Sequence, residues 1–276
     1  MATEAGLVEH RRDKVGYVHK IILKKKYRRR TKRPAAPLVL MPLQRLFLSC
    51  RDVFQGPGTV PAPTDVQRLC HILDGMMPED VGLSRDLQFF KQSAVKGIPR
   101  VTTTTIYKCD NFSLCIFFLP ATAVIPLHNH PGMTVFSKLL VGTMHIKAYD
   151  WVDPANSDDS VSPSQLRLAR LKANNVFKAP CNTSVLYPTS GGNIHEFTAI
   201  TPCAVLDVLG PPYSQEDGRD CSYYKDTPYN AFSNGETEVA EEEGERYGWL
   251  EEIEMPKDSE MDGIEYLGPQ VIETSS

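Results

Sequence analysis

From about Val101 the chain abandons a helical spacing of apolar residues for the alternation of strands, and this change limits what it can fold into. Val101–Tyr107, Phe112–Leu119, Ala123–Leu127, Thr134–Leu140 and Thr143–Trp151 are short β-rich segments with Gly, Pro or Asp-Asn between them. Leu166–Leu171, Ser184–Tyr187, Ile194–Ile200 and Ala204–Leu209 continue the series. The pair around Gly142 reads as a hairpin, in whose second arm Met144, Ile146 and Ala148 alternate with His145, Lys147 and Tyr149. Many short strands at this spacing predict a β-sandwich or a barrel.

The region ahead of the strands has another character. Residues 1–37 read as a basic leader ending at Pro34-Ala35-Ala36-Pro37, and residues 38–92 as a helical segment packed on the barrel. A first helix is expected over Pro42–Phe54, where Leu43, Leu46, Phe47 and Phe54 recur at helical spacing. After the breaker Gly56–Pro63, Thr64 and Gln67 form a capping box for a second helix with the stripe Val66, Leu69, Cys70, Leu73 and Met76. His71 belongs to this helix as a surface residue. The β domain is expected over 93–272, with loops at 153–164 and in the acidic stretch 235–245, and a short tail at 273–276. Tyr247–Leu250 and Ile264–Pro269 regain apolar and aromatic character and are expected to return as late strands.

Composition narrows the setting. With 276 residues the chain can hold one substantial domain or two small ones with flexible ends. No apolar run approaches the roughly 18 residues of a membrane span. Seven cysteines, without Cys-x-x-Cys spacing, argue against a disulfide framework and a zinc ribbon, and point to a reducing intracellular compartment. The net charge of −4 conceals a dense basic run, Lys24 to Arg33. That run reads either as a nuclear import signal or as a solvated tail. Nucleic-acid binding is not expected, because no aromatic interleaving accompanies it. Nothing points to an obligate assembly, so a monomer is expected.

The chemistry concentrates in Pro126-Leu127-His128-Asn129-His130-Pro131-Gly132 and Gly191-Gly192-Asn193-Ile194-His195. In an extended backbone His128 and His130 share a face and can reach one metal ion. His195 supplies a third imidazole from a distant strand, with His145 as the competitor for that place. No acid follows the His-x-His pair; Met133, Thr134, Val135 and Phe136 occupy the stretch. Three neutral imidazoles leave the charge of a divalent ion uncompensated, which favours an anionic ligand such as a thiolate. A two-histidine, one-carboxylate oxygenase site is not present. Asp207 lies in Val205-Leu206-Asp207-Val208-Leu209, an apolar strand where a carboxylate is costly without a partner.

These residues carry a family resemblance. The stretch from Pro126 to Trp151 resembles the first metal motif of the plant cysteine oxidases, which are relatives of the animal cysteamine dioxygenase. Tyr187 to His195 followed by Ala204 to Tyr213 resembles the second half, and the likeness runs from about residue 40 to 272, leaving the basic leader outside. It implies a mainly β, cupin-type double-stranded β-helix, or jelly-roll barrel, with short N-terminal helices. It further implies Fe(2+) held by His128, His130 and His195, and addition of both atoms of O2 to the sulfur of an N-terminal cysteine, giving cysteine sulfinic acid. The protein substrates implied are ethylene-response transcription factors, marked in this way for the N-degron pathway. The protein would then act in oxygen or hypoxia sensing in nucleus and cytoplasm.

By the same resemblance Asp207 orients the substrate amino group or a nearby water; a purely structural hydrogen bond is the alternative. Tyr213 matches a pocket residue that donates a hydrogen bond to bound oxygen or substrate, against a role in packing. Cys221 and Tyr223 match a cysteine and a tyrosine near the pocket, with oxidative coupling or plain loop packing both open. Two competing readings stand beside this one. One is a dioxygenase for a small thiol, cysteamine or free cysteine; the other is a metal-binding cupin without turnover and with a nuclear interaction role.

Overall fold

The computed structural model describes residues 41–83, 99–152, 166–232 and 246–273. The basic leader, the loop 153–164, the acidic stretch 235–245 and the last three residues lie outside the described residues. No helix among the described residues is long and apolar enough to cross a membrane.

Among the described residues twelve strands form two sheets: β1 Thr102–Lys108, β2 Ser113–Leu119, β3 Val124–His128, β4 Thr134–Val141, β5 Thr143–Trp151, β6 Arg167–Lys178, β7 Ser184–Leu186, β8 Ile194–Ala199, β9 Cys203–Gly210, β10 Tyr223–Pro228, β11 Tyr247–Ile253 and β12 Asp262–Gly263. The first sheet has the order β12-β1-β2-β9-β4-β7, and the second runs β10-β11-β6-β5-β8-β3. The chain alternates between them, placing β2, β9, β4 and β7 against β3, β8, β5 and β6. That is the jelly-roll order of a double-stranded β-helix, as the resemblance implies. A backbone pairing of Tyr223 with His128 closes the second sheet on itself through β10.

Four local expectations change. Gly142 is not a hairpin turn: β4 pairs with β7 and β9, and β5 with β6 and β8, so the turn carries the chain from one sheet to the other. Gly142 has φ +95°, and a Cβ there would lie 2.2 Å from the Pro202 carbonyl oxygen, so only glycine fits the corner. The second helix begins at Pro63 with Ala62 as N-cap and has no side-chain cap. Pro63 occupies the first turn, where its missing N–H goes unneeded, and Thr64 and Gln67 form no box. β6 extends well beyond Leu171, and β10 is a strand that periodicity does not reveal. Ile264–Pro269 is not a strand; after the two-residue β12 the run keeps one ladder-like bond, from the Ile264 N–H to Thr103.

The helices, α1 over Pro42–Val53 and α2 over Pro63–Asp74, cover the outer face of the first sheet. Leu43, Leu46, Phe47, Leu69 and Leu73 pack on Leu114, Ile116, Phe136, Leu206 and Val208. The intervening residues Phe117, Val205, Asp207 and Leu209 face the barrel interior instead, so β9 is buried along its whole length. Lys138 is buried on the helix side, where its ammonium donates to the carbonyls of Asp74, at the end of α2, and Cys181. A cation there complements the negative end of the helix. In the second sheet, which β10 and β11 help to close, Leu250 of β11 packs with Leu127, Tyr149, Ala169 and Ile194 in a smaller apolar cluster.

Phe47 is fully buried and meets the Tyr107 ring edge-on at 4.8 Å. Phe47→Ala should destabilise the protein by about 3–5 kcal/mol, measured by urea unfolding. A loss well below this would show that α1 contributes little to holding the barrel.

Candidate metal centre

A β-bulge creates the first half of the site. The β3–β8 register slips between Ile125 and His128, so both side chains point into the same cavity although they are an odd three positions apart. His128 then pairs directly with His195 across the strands. The extended run expected to carry both histidines stops short: β3 ends at His128, and His130 lies two residues past it. Its position is set by Asn193, whose Oδ1 accepts from the His130 N–H at 3.1 Å while Nδ2 donates to the His130 carbonyl at 2.8 Å. The same Nδ2 donates to the Tyr187 carbonyl.

Asp150 holds the turn that delivers His195. Its buried carboxylate accepts the N–H groups of Gly191, Gly192 and Asn193 at 3.0, 2.8 and 2.9 Å. Both glycines have positive φ, and a Cβ on Gly192 would press within 2.8 Å of Ala148. Sequence reasoning finds the histidines and misses Asn193 and Asp150. The signal for the second was present: a Gly-Gly-Asn turn exposes successive N–H groups and calls for an anionic acceptor.

The three rings gather with centroids 4.8 to 4.9 Å apart. One ligand atom from each lies within 4.8 Å of the others, and all three residues are buried. The tautomers follow from the partners. The Pro126 carbonyl can only accept, so the His128 Nδ1–H donates to it at 2.8 Å and Nε2 is left as a lone pair. The Tyr213 hydroxyl donates to the Asn129 carbonyl at 2.7 Å and so accepts from the His130 Nδ1–H at 2.8 Å. His130 and His195 present Nε2 atoms 3.3 Å apart. Burial, and for His130 and His195 also the neighbouring imidazoles, hold the three rings below the usual histidine range, and so neutral. Three neutral ring nitrogens with oriented outer N–H groups are the donor set of a first-row metal ion. His145 is elsewhere, with its Nε2 bonded to the Asn174 side chain at 2.8 Å. His71 is exposed on α2.

The cavity in front of the histidines holds about 270 Å³. Asp207, Tyr213, Cys221 and Tyr223 line it with Phe117 and Ile125. Tyr213 is in place, yet it does not offer its proton to the cavity: that proton goes to Asn129, and the hydroxyl orients His130. Cys221 stands within hydrogen-bonding reach of Tyr213 and Tyr223, and burial pushes its thiol up. Asp207 is buried with its Oδ1 unpartnered. Burial lifts its carboxyl from 3.8 to about 7, against a hydrogen bond from Ser137 that pulls the other way.

A family model described as PCO_ADO matches residues 72–271. The chain belongs to the PCO_ADO family. Among relatives, Plant cysteine oxidase 2 of Arabidopsis thaliana is 50% identical over 91% of this chain and 89% of its own. Plant cysteine oxidase 1 of the same organism is also 50% identical, over 83% of this chain and 80% of its own. The 2-aminoethanethiol dioxygenase of Mus musculus is 30% identical over 83% and 96%. The PCO_ADO match thus spans the three histidines, Asp207 and the Cys221–Tyr223 segment together.

Two outcomes test this site. Asn193→Ala frees both backbone groups of His130 and should lower metal affinity by about 10- to 100-fold, read by titrating a divalent ion against a competing chelator; unchanged affinity would mean that His130 is held without the clamp. For Asp207 the sign follows from its raised carboxyl. Between its unfolded value and about 7 the folded protein keeps a proton that the unfolded chain has released, so stability falls as pH rises through that window. In metal-free protein, Asp207→Asn should therefore gain on the parent by roughly 2 kcal/mol between about pH 5 and pH 8. A difference that does not vary with pH in chemical denaturation would rule the raised carboxyl out.

Proposed function

We propose that this chain is an Fe(2+)-dependent dioxygenase that oxidises the N-terminal cysteine of target proteins to cysteine sulfinic acid with O2. The observation that carries the reading is a three-histidine centre facing a cavity whose one carboxylate has an oxygen without a partner. Thiol dioxygenase activity accords with membership of the PCO_ADO family and with the names its plant and mouse relatives carry. The targets proposed are ethylene-response transcription factors, marked in this way for the N-degron pathway. The protein would act in oxygen sensing in nucleus and cytoplasm, and the basic run Lys24 to Arg33 suits import.

A ferrous ion held by His128, His130 and His195 would bind the thiolate and dioxygen together and pass electrons from the sulfur, which is oxidised, to the dioxygen, which is reduced and incorporated. The chain's own groups prepare that reaction. Pro126 and Tyr213 fix which nitrogens of His128 and His130 face inward. Absence of a carboxylate ligand leaves the centre electron-poor and receptive to an anionic sulfur. Asp207 offers its free oxygen to the amino group beside that sulfur, and a cation there restores the ionised carboxylate that burial alone disfavours. Apolar neighbours Phe117, Ile125 and Leu209 keep water from competing.

Incubating the Fe(2+)-loaded protein under air with a Cys-initiated peptide, free cysteine and cysteamine separates the readings by mass spectrometry. A gain of two oxygen atoms on the peptide alone is expected. Oxidation of cysteamine in preference would favour the small-thiol alternative, and no oxidation of any thiol would favour a barrel without turnover. His195→Ala should abolish turnover while His145→Ala retains it. Asp207→Asn should lower kcat/KM for the peptide by about 10- to 100-fold, the equivalent of a lost charge-assisted hydrogen bond.

A further inference from the structure

Behind the histidines the barrel contains a second, smaller chamber of about 80 Å³. It lies where β6 of one sheet faces β7 of the other without pairing to it, whereas the front cavity lies on the β2 and β3 side. Val135, Ile146, Ala173, Phe177, Val185 and Phe197 line the chamber. His195 and Phe197 line both spaces and form the partition, with their rings stacked at 4.5 Å and an interplanar angle of 9°.

We propose that this chamber is a binding and delivery site for dioxygen, reaching the metal centre from the side opposite the thiol. The inference rests on the dioxygenase reading above. Its hydroxyls are already engaged: Ser137 bonds to Asp207, and Ser184 donates to the Ser137 carbonyl at 3.3 Å. A space with mainly apolar walls and its hydroxyls engaged holds water weakly. Its volume, less than a third of the front cavity's 270 Å³, is too small for a peptide and ample for a diatomic gas. The front cavity is the one large enough for the thiol substrate, so an occupied enzyme has its front entrance obstructed. A second reactant that is small and apolar then arrives best through the back. Ala173 and Val185, both half-buried on the facing strands, stand at the outer rim of that route.

Two measurements decide the matter. Crystals of the parent protein under xenon pressure should show xenon between Ala173, Val185 and Phe197, since xenon enters dry apolar cavities. Ala173→Phe, checked for unchanged melting temperature and metal content, should raise KM for O2 by at least about threefold while leaving KM for the peptide and kcat at saturating O2 unchanged. A xenon-free chamber, or an unaltered KM for O2 in folded Ala173→Phe, overturns the proposal. A parent protein that oxidises no thiol at all would sink the dioxygenase reading itself, whereas an active parent with an unresponsive Ala173→Phe sinks only the chamber.

Discussion

Three imidazoles brought side by side out of water are the constraint around which this molecule is arranged. Buried together they repel protons, because each would carry its charge into a space of low polarity beside two similar rings. Neutrality makes them ligands, but neutral rings can still turn and present the wrong nitrogen. Pro126 and Tyr213 remove that freedom by accepting one N–H each. Asn193 and Asp150 then fix the backbone that carries His130 and His195. The outer groups are polar atoms in an apolar barrel, and nearly all are mutually satisfied, which is why such a network can be rigid.

Asp207 departs from that pattern. Its strand is apolar on both faces, since one face meets the helices and the other the barrel interior. A carboxylate left there with one bare oxygen raises the energy of the unliganded site, and an arriving amino group relieves it. The same logic of desolvation divides the interior into two spaces of different character. The front one is wide and carries the carboxylate and two tyrosines; the back one is narrow and apolar. His195 belongs to both, so a single stacked pair of rings separates the approach of a polar substrate from that of an apolar one.

Local pattern made much of this legible. Alternation located β1 to β5 and β8 closely, and the His-x-His spacing pointed to shared coordination. Elsewhere the pattern misled. Gly142 between two β-rich runs looks like a hairpin turn, and only the pairing of β4 with β9 and of β5 with β8 shows a crossing between sheets. Thr64 and Gln67 have the spacing of a cap, yet Pro63 starts the helix ahead of them. β10 has mixed polarity, since it is held partly by the closing pair Tyr223–His128 and by Asp226, which binds Lys147 and Tyr149 on β5.

The amino-acid sequence by itself determined the residue types and the order in which they arrive: a run of short strands, three histidines without an acid, and a carboxylate among apolar neighbours. These are properties of local period and spacing, which act over a few residues and survive in any fold the chain could adopt. Tertiary structure alone decided that a bulge turns His128 inward, that Asn193 grips His130, and that the Tyr213 proton belongs to Asn129. It also decided that the barrel has a back chamber. Each of these depends on groups far apart in the chain meeting at hydrogen-bonding or van der Waals distance, and spacing along a sequence does not specify such meetings.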